Sequence, residues 1–306
     1  MILLWGLLTD APMAKVHEEL SRLGVAFFFL DQRRTQEAEL ELFVDGSVSG
    51  RLRLGNEELL LETVTSAYFR PYNLDEVDTL EDVPRNSDKW RYLLRFERLL
   101  TTWLEIATII VVNRPSAMAT NNSKPYQAEL IRQVGFRVPA TLLTTSPSAV
   151  QHFWSEQDRL IYKSISSIRS IVAELVLGDE ARLANLTHCL TQFQQRIAGE
   201  DFRVHVLGED IFACRIIAPE ADYRYCREAR VEAFDMPADI AAACVSLARS
   251  LDFHFTGIDL RRTPEDEWFC FEANPSPGFS YFASETGQPI ASSLAKYLCR
   301  PSQSLD

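Results

Sequence analysis

The stretch from Gly257 to Gly278, GIDLRRTPEDEWFCFEANPSPG, constrains this chain more than any other. HFTGIDL and WFCFEAN are rich in aromatic and strand-favouring residues, and the polar connection Thr263-Pro264-Glu265-Asp266-Glu267 lies between them. That pattern predicts a β-hairpin. Side chains alternate along a strand, so Glu272 and Asn274 share a face, and Asp259 sits across the hairpin from them. The pairing brings two carboxylates and an amide oxygen into one small volume. Such hard oxygen donors suit Mg²⁺ held jointly with nucleotide phosphates, with Mn²⁺ as the alternative ion. A solvated hairpin with its acids facing water is the competing reading. The apolar run WFCFEANP favours the metal, because a carboxylate within such a run needs a cation as partner. Pro275 and Pro277 end the second strand.

Two upstream segments carry phosphate-binding chemistry. Asn121-Asn122-Ser123-Lys124-Pro125 leads into the helical pattern PYQAELIRQVG, with Ser123 as the expected cap and Pro125 in the first turn. Lys163 stands inside the apolar strand pattern RLIYKSISSIRSIV. A lysine there is costly unless its ammonium meets an anion or reaches water. Ser164, Ser166, Ser167 and Ser170 follow, with Arg169 among them. Hydroxyls, backbone N–H groups and a nearby lysine are what a phosphate chain requires. An ordinary hairpin with a snorkelling lysine remains open.

The rest of the chain predicts a mixed α/β and α+β architecture. Residues 1–31 read strand, helix, strand, with Asp10 and Pro12 starting the helix and Gly24 stopping it. Such a unit favours a parallel sheet, but no GxGxxG follows the first strand. Asp45-Gly46 marks a hairpin. A strand ends at Arg70, either a substrate contact or an edge arginine. Residues 74–86 read as a surface loop. Residues 87–107 are helical, with Trp90, Leu93, Leu94, Leu100, Trp103 and Leu104 recurring on an apolar side. FRVPATLLTT predicts a strand and SPSAVQHFWSEQ a short helix. Several short strands follow, turning at Gly199 and at Gly208-Glu209-Asp210. MPADIAAACVSLARS and residues 289–299 predict the last helices.

Composition narrows the function. The 306 residues hold 46% hydrophobic and 24% charged residues, as in an ordinary globular protein of two or three domains. A net charge of −12 argues against nucleic-acid and membrane partners. The opening run ILLWGLL is too short to span a bilayer and has no basic stretch before it, so it reads as a buried strand of a cytoplasmic protein. Cys189, Cys214, Cys226, Cys244, Cys270 and Cys299 are scattered without a CxxC, which predicts reduced thiols acting as small apolar residues.

Taken together, the segments NRPSAMATNNSKPYQAELIRQVGFRVPATL, IYKSISSIRSIV, QFQQRIAGEDFRVHVLGEDIFACRI and GIDLRRTPEDEWFCFEANPSPGF resemble an ATP-grasp ligase of the RimK-like branch, which includes ribosomal-peptide maturases. The resemblance runs from Asn113 to the C-terminus. It implies an ATP-grasp fold behind an N-terminal α/β domain, divided at 1–114, 115–190 and 191–306. By the same resemblance Lys124 and Lys163 contact phosphates, with Ser166 and Arg169 in the phosphate-covering loop. Gln194, Gln195, Arg196 and Ile197 form the hinge that holds adenine, and Asp201 binds ribose. Asp259, Glu272 and Asn274 are the Mg²⁺ ligands. Arg203, Arg215 and Arg224 are cations for phosphate and the acceptor carboxylate. SISSIRS lacks the glycine of many relatives, and Gln195 replaces a common glutamate.

The implied activity is ATP- and Mg²⁺-dependent joining of a carboxylate to an amine through an acyl phosphate. The acceptor is a peptide or an amino acid, and a homo-oligomer is left open. Two alternatives stand: a small-molecule kinase on the same fold, and a nucleotide-binding regulatory protein without turnover. The complete Asp259, Glu272 and Asn274 set argues against the last.

Overall fold

The computed structural model describes residues 1–164, 173–176, 178–217 and 230–301. At its N-terminus β1 (Ile2–Gly6), α1 (Ala11–Arg22) and β2 (Phe27–Asp31) form the expected strand–helix–strand unit. Asp10 caps α1 by accepting from the Met13 N–H at 3.1 Å. β3 (Ala38–Val44), β4 (Val48–Leu54) and β5 (Glu57–Leu60) make a small antiparallel sheet, turning first at Asp45–Ser47. β6 (Ser66–Arg70), α2 (Asp88–Ile106) and β7 (Ile110–Val112) complete a parallel sheet in the order β2–β1–β6–β7.

Both faces of this sheet are covered, as a parallel sheet requires. Leu3 and Trp5 face Phe96, Leu100, Trp103 and Leu104 of α2, together with Leu52 and Leu59 of the small sheet. Ile2 and Leu4 face Met13, Val16 and Leu20 of α1. Leu94 departs from the expected stripe and is exposed, while Phe96 is buried in its place. Residues 74–86 also depart from a plain surface loop. Two short 3₁₀ turns bury Leu74, Val77 and Leu80 against Trp90 and Leu93.

Beyond β7 come α3 (Pro115–Met118), α4 (Lys124–Gln133), β8 (Thr141–Thr144), α5 (Pro147–Glu156), β9 (Leu160–Ser164), β10 (Ala173–Leu175) and β11 (Thr191–Gln195). The four strands form an antiparallel sheet ordered β10–β9–β11–β8. Ser123 precedes α4 but makes no side-chain capping bond, so that expectation is corrected. The strand expected from Phe136 begins only at Thr141; Phe136 is buried in a core instead.

The chain closes with β12 (Glu200–Leu207), β13 (Asp210–Ile217), β14 (Arg230–Ala233), α6 (Ala238–Ser250), β15 (Phe255–Arg262), β16 (Trp268–Asn274), α7 (Ser280–Thr286) and α8 (Ile290–Leu298). Their strands form an antiparallel sheet ordered β14–β13–β12–β15–β16. Asn113, just past β7, ties this sheet to the parallel one. Its amide donates to the carbonyls of Phe255 and Pro275, at 2.6 Å each, and accepts from the Phe255 N–H at 3.0 Å. Among the described residues no helix is long and apolar enough to cross a membrane.

Candidate active site

The hairpin β15–β16 sets Asp259 directly opposite Glu272, and Gly257 opposite Asn274. A bulge after Asp259 leaves this pair together while shifting the register beyond it. On the other side of β15, Arg203 of β12 stands opposite Asp259. Its Nη1 donates to Asp259 Oδ1 at 2.5 Å, with the arginine side chain 7% exposed. Gly257 makes room for this guanidinium: a Cβ there would stand 2.3 Å from Arg203 Nη2.

A second cation arrives from α4. Lys124 Nζ lies 2.9 Å from Glu272 Oε2 and donates to Asn121 Oδ1 at 2.6 Å. The helix is fixed at this position by Gln127, which is buried and bonds both polar backbone groups of Ala273, at 2.8 and 3.1 Å. Gln127 thus serves β16 as a neighbouring strand would, and Lys124 lies one helical turn before it. Sequence reasoning missed Gln127, since nothing beside it in the chain shows that it is buried against Ala273.

The electrostatics follow from burial and charge. Burial, with Glu272 adding its like charge, raises the Asp259 pKa against the opposing pull of Arg203. Burial also acts to raise Glu272, but Lys124, then Arg203 and Lys163, outweigh it and hold that carboxyl below its usual range. Lys163, on β9 opposite Gln192, therefore lies close enough for its charge to reach the site. Asn274 Oδ1 accepts from the Ser276 N–H at 2.9 Å and keeps a second lone pair. Two half-buried carboxylates face to face favour positive charge between them. With the amide oxygen beside them, the donor set fits a divalent cation of the Mg²⁺ type.

The remaining expected residues are placed as follows. Gln194 and Gln195 end β11; the Gln195 N–H donates to Ala140 O, and its side-chain oxygen faces the Ala140 N–H at 3.4 Å. Gln194 Nε2 donates to Thr141 Oγ1 at 3.0 Å. The Arg196 N–H donates to Arg159 O, and Ile197 O accepts from Arg261 Nη1 at 2.7 Å. Arg261 also grips both oxygens of Asp201, at 2.6 and 2.8 Å, so Asp201's first partner is a guanidinium that links it to the Ile197 carbonyl. Arg215 is not brought to the site. It pairs across β13 with Phe202, so alternation puts it on the sheet face opposite Arg203, where it meets Glu200 and Glu232 at 3.3 and 3.0 Å. Ser166, Arg169 and Arg224 lie outside the described residues.

An antiparallel sheet carrying a carboxylate pair, met by lysines from a helix and from a second sheet, defines a nucleotide-handling protein of the ATP-grasp class. Residues 119–298 match the RimK-like ATP-grasp domain, and the chain belongs to that family. It is similar in structure to the macrocyclase MdnC of Microcystis aeruginosa MRC, solved with its precursor peptide MdnA, at 22% identity and a TM-score of 0.83 over 98% of this chain and 99% of that one. It is similar also to the ATP-grasp ligase PsnB, solved with a variant of its minimal precursor, Mg and ADP, at 27% identity and a TM-score of 0.81 over 97% of each chain. In sequence, 123 residues are 25% identical to a probable alpha-L-glutamate ligase of Nitrosococcus oceani, covering 39% of this chain and 40% of that protein. Both PsnB and the relative from Nitrosococcus oceani carry the name of ligase.

Proposed function

We propose that this protein is an ATP-dependent carboxylate–amine ligase that acts on a peptide. One observation carries the reading: the half-buried, directly opposed carboxylates Asp259 and Glu272, each held by its own cation. The ligase names of PsnB and of the probable alpha-L-glutamate ligase support ligation, and the precursor peptides in the MdnC and PsnB structures support a peptide substrate.

The γ-phosphoryl group of ATP passes to a substrate carboxylate oxygen, breaking its bond to the β-phosphate side and releasing ADP. An amine nitrogen then attacks the acyl carbon. The carbon–oxygen bond to phosphate breaks, phosphate leaves with the electron pair, and the amine proton goes to solvent. Such chemistry needs positioning and charge neutralisation more than covalent help. Lys124 and Lys163 supply positive charge at the carboxylate pair. Arg203 orients Asp259 and can extend its charge toward the acceptor. Asp259, Glu272 and Asn274 would hold Mg²⁺, which when bound neutralises the phosphates. Gln194 to Ile197 would hold adenine, and Asp201 the ribose. Ser166, Arg169 and Arg224 complete the proposed cations and hydroxyls.

Trapping with hydroxylamine tests the reading. The purified chain is incubated with ATP, Mg²⁺ and carboxylate-bearing peptides. A hydroxamate formed together with ADP supports the ligase. A stable phosphorylated alcohol in its place would establish the kinase, and ATP binding with no ADP released from any candidate would establish a binding protein.

A further inference from the structure

Arg70 closes β6, which lies inside the parallel sheet, so the arginine does not stand on a sheet edge. Its side chain is 12% exposed, and its three nitrogens serve two different parts of the fold. Nε and Nη2 donate to the two oxygens of Asp10, at 2.6 and 3.3 Å. Asp10 is itself fixed, since it also caps α1. Nη1 reaches the other way. It donates to Ser276 Oγ at 2.7 Å and to Pro277 O at 3.2 Å, in the turn that follows β16. Arg70 is therefore a strut between the parallel sheet and the end of the carboxylate hairpin.

That turn begins at a proposed metal ligand. The Ser276 N–H donates to Asn274 Oδ1 at 2.9 Å. The last torsion of an asparagine is broad and two-fold, so the amide by itself presents its oxygen or its nitrogen about equally well. A metal ion accepts only the oxygen. The Ser276 N–H selects that orientation, because it bonds one lone pair of Oδ1 and leaves the other. The selection lasts only while Ser276 stays in place. The residues before it are anchored from elsewhere: Thr256 Oγ1 donates to Asn274 O at 2.9 Å, and the Asn113 amide to Pro275 O at 2.6 Å. Ser276 and Pro277 are anchored by Arg70. What a half-buried guanidinium adds over an apolar contact of the same volume is direction, since burying its charge offsets much of its attraction.

We propose that Arg70 is a positioning residue for the metal site. Braced by Asp10, it holds the Ser276 turn, and the turn aims the Asn274 oxygen at the cation. The proposal rests on the reading of Asp259, Glu272 and Asn274 as Mg²⁺ ligands. Partners that orient a ligand in this way are worth about 10–100-fold in metal affinity.

The test is a Mg²⁺ titration of the full chain with a fluorescent, non-hydrolysable ATP analogue, reading the Mg²⁺ midpoint of binding, with no turnover involved. The midpoint should rise about tenfold in Arg70→Lys, which keeps the charge at Asp10 but offers one ammonium in place of a two-ended guanidinium. Ser276→Ala removes one hydroxyl at a half-buried position and should raise it similarly; it decides alone if Arg70→Lys does not fold. Analogue affinity without Mg²⁺ should stay the same in both. Asn274→Ala raises the midpoint by itself, and Arg70→Lys added to it should raise it no further, because the arginine acts through that amide. A midpoint unmoved in either folded single variant, an equal loss of affinity with and without Mg²⁺, or a further rise in the double variant overturns the proposal and leaves Arg70 a stabilising strut. If binding by the unaltered protein does not depend on Mg²⁺, the metal reading itself fails and the proposal falls with it.

Discussion

The guanidinium of Arg203 occupies the space that any side chain at Gly257 would fill. The two residues lie on adjacent strands, and the guanidinium lies over the bare glycine backbone where it reaches Asp259. Gly257→Ala puts a methyl group 2.3 Å from Nη2 and 2.6 Å from Cζ, so the arginine must move. Overpacking of this kind costs about 1–3 kcal/mol. The expected outcome is a folded protein whose ATP-dependent hydroxamate formation falls about a hundredfold, the scale of losing one well-placed donor. Arg203→Ala measured beside it should show a similar loss. Normal turnover in Gly257→Ala would remove Arg203 from the site.

Glu272 tests the cation assignment. Glu272→Gln keeps the shape but loses the charge that Lys124 and Lys163 act on. The variant should bind a fluorescent ATP analogue more weakly and lose turnover, and its affinity should depend less on Mg²⁺ than that of the unaltered protein. Titrating the analogue with and without Mg²⁺ reads this directly. Wild-type activity in the variant would make the hairpin structural.

A pH dependence of stability is set by His205. It is fully buried on β12, opposite Gly257 and near Arg203. Burial first, then the Arg203 charge, holds its pKa well below the ordinary 6.5. The unfolded chain therefore takes up a proton that the native ring refuses. The stability that goes with the neutral ring is present above pH 6.5 and is lost as pH falls below it, by about 1.4 kcal/mol per unit for one proton. His254, also lowered by burial, adds to the same slope. His205→Leu should flatten the fall in Tm between neutral and acid pH. An unchanged profile would show that the ring titrates alike in both states.

Much of this was legible in the sequence, for reasons that can be named. The hairpin ligands depend on strand alternation and one connection, both local, so Asp259, Glu272 and Asn274 could be placed together from the sequence. Lys124 was recognisable as a lysine at a helix start. What failed was non-local. Arg215 looked like Arg203 in the sequence, but it stands one residue from Cys214, the position opposite Arg203, and that single step puts it on the other face with Glu200 and Glu232. The pairing of Asp201 with Arg261 was also beyond local reading, because the two lie sixty residues apart along the chain. Leu74, Val77 and Leu80 sat in an acidic, turn-rich stretch, and they are buried because the fold lays Trp90 and Leu93 beside them. Burial of polar residues such as Gln127 depends on what the fold lays beside them, and no local pattern reports it.

Gln127 is therefore the residue whose function is least visible in the sequence and easiest to test. Its amide completes the backbone bonding of Ala273, the residue between Glu272 and Asn274. Gln127→Leu leaves one buried N–H and one buried carbonyl without that partner, costing about 1–3 kcal/mol for each group. The change should lower Tm. It should also weaken ATP-analogue binding, because α4 is no longer registered against β16 and Lys124 loses its place at Glu272. Ile131→Ala on the same helix separates the two effects. Ile131 is fully buried in the core, and its truncation costs a comparable 2–5 kcal/mol or so without touching Ala273. If Gln127 positions the lysine, Gln127→Leu loses analogue affinity by about tenfold or more while Ile131→Ala, matched in Tm, keeps it. Equal losses of affinity in the two variants would mean that α4 contributes packing alone.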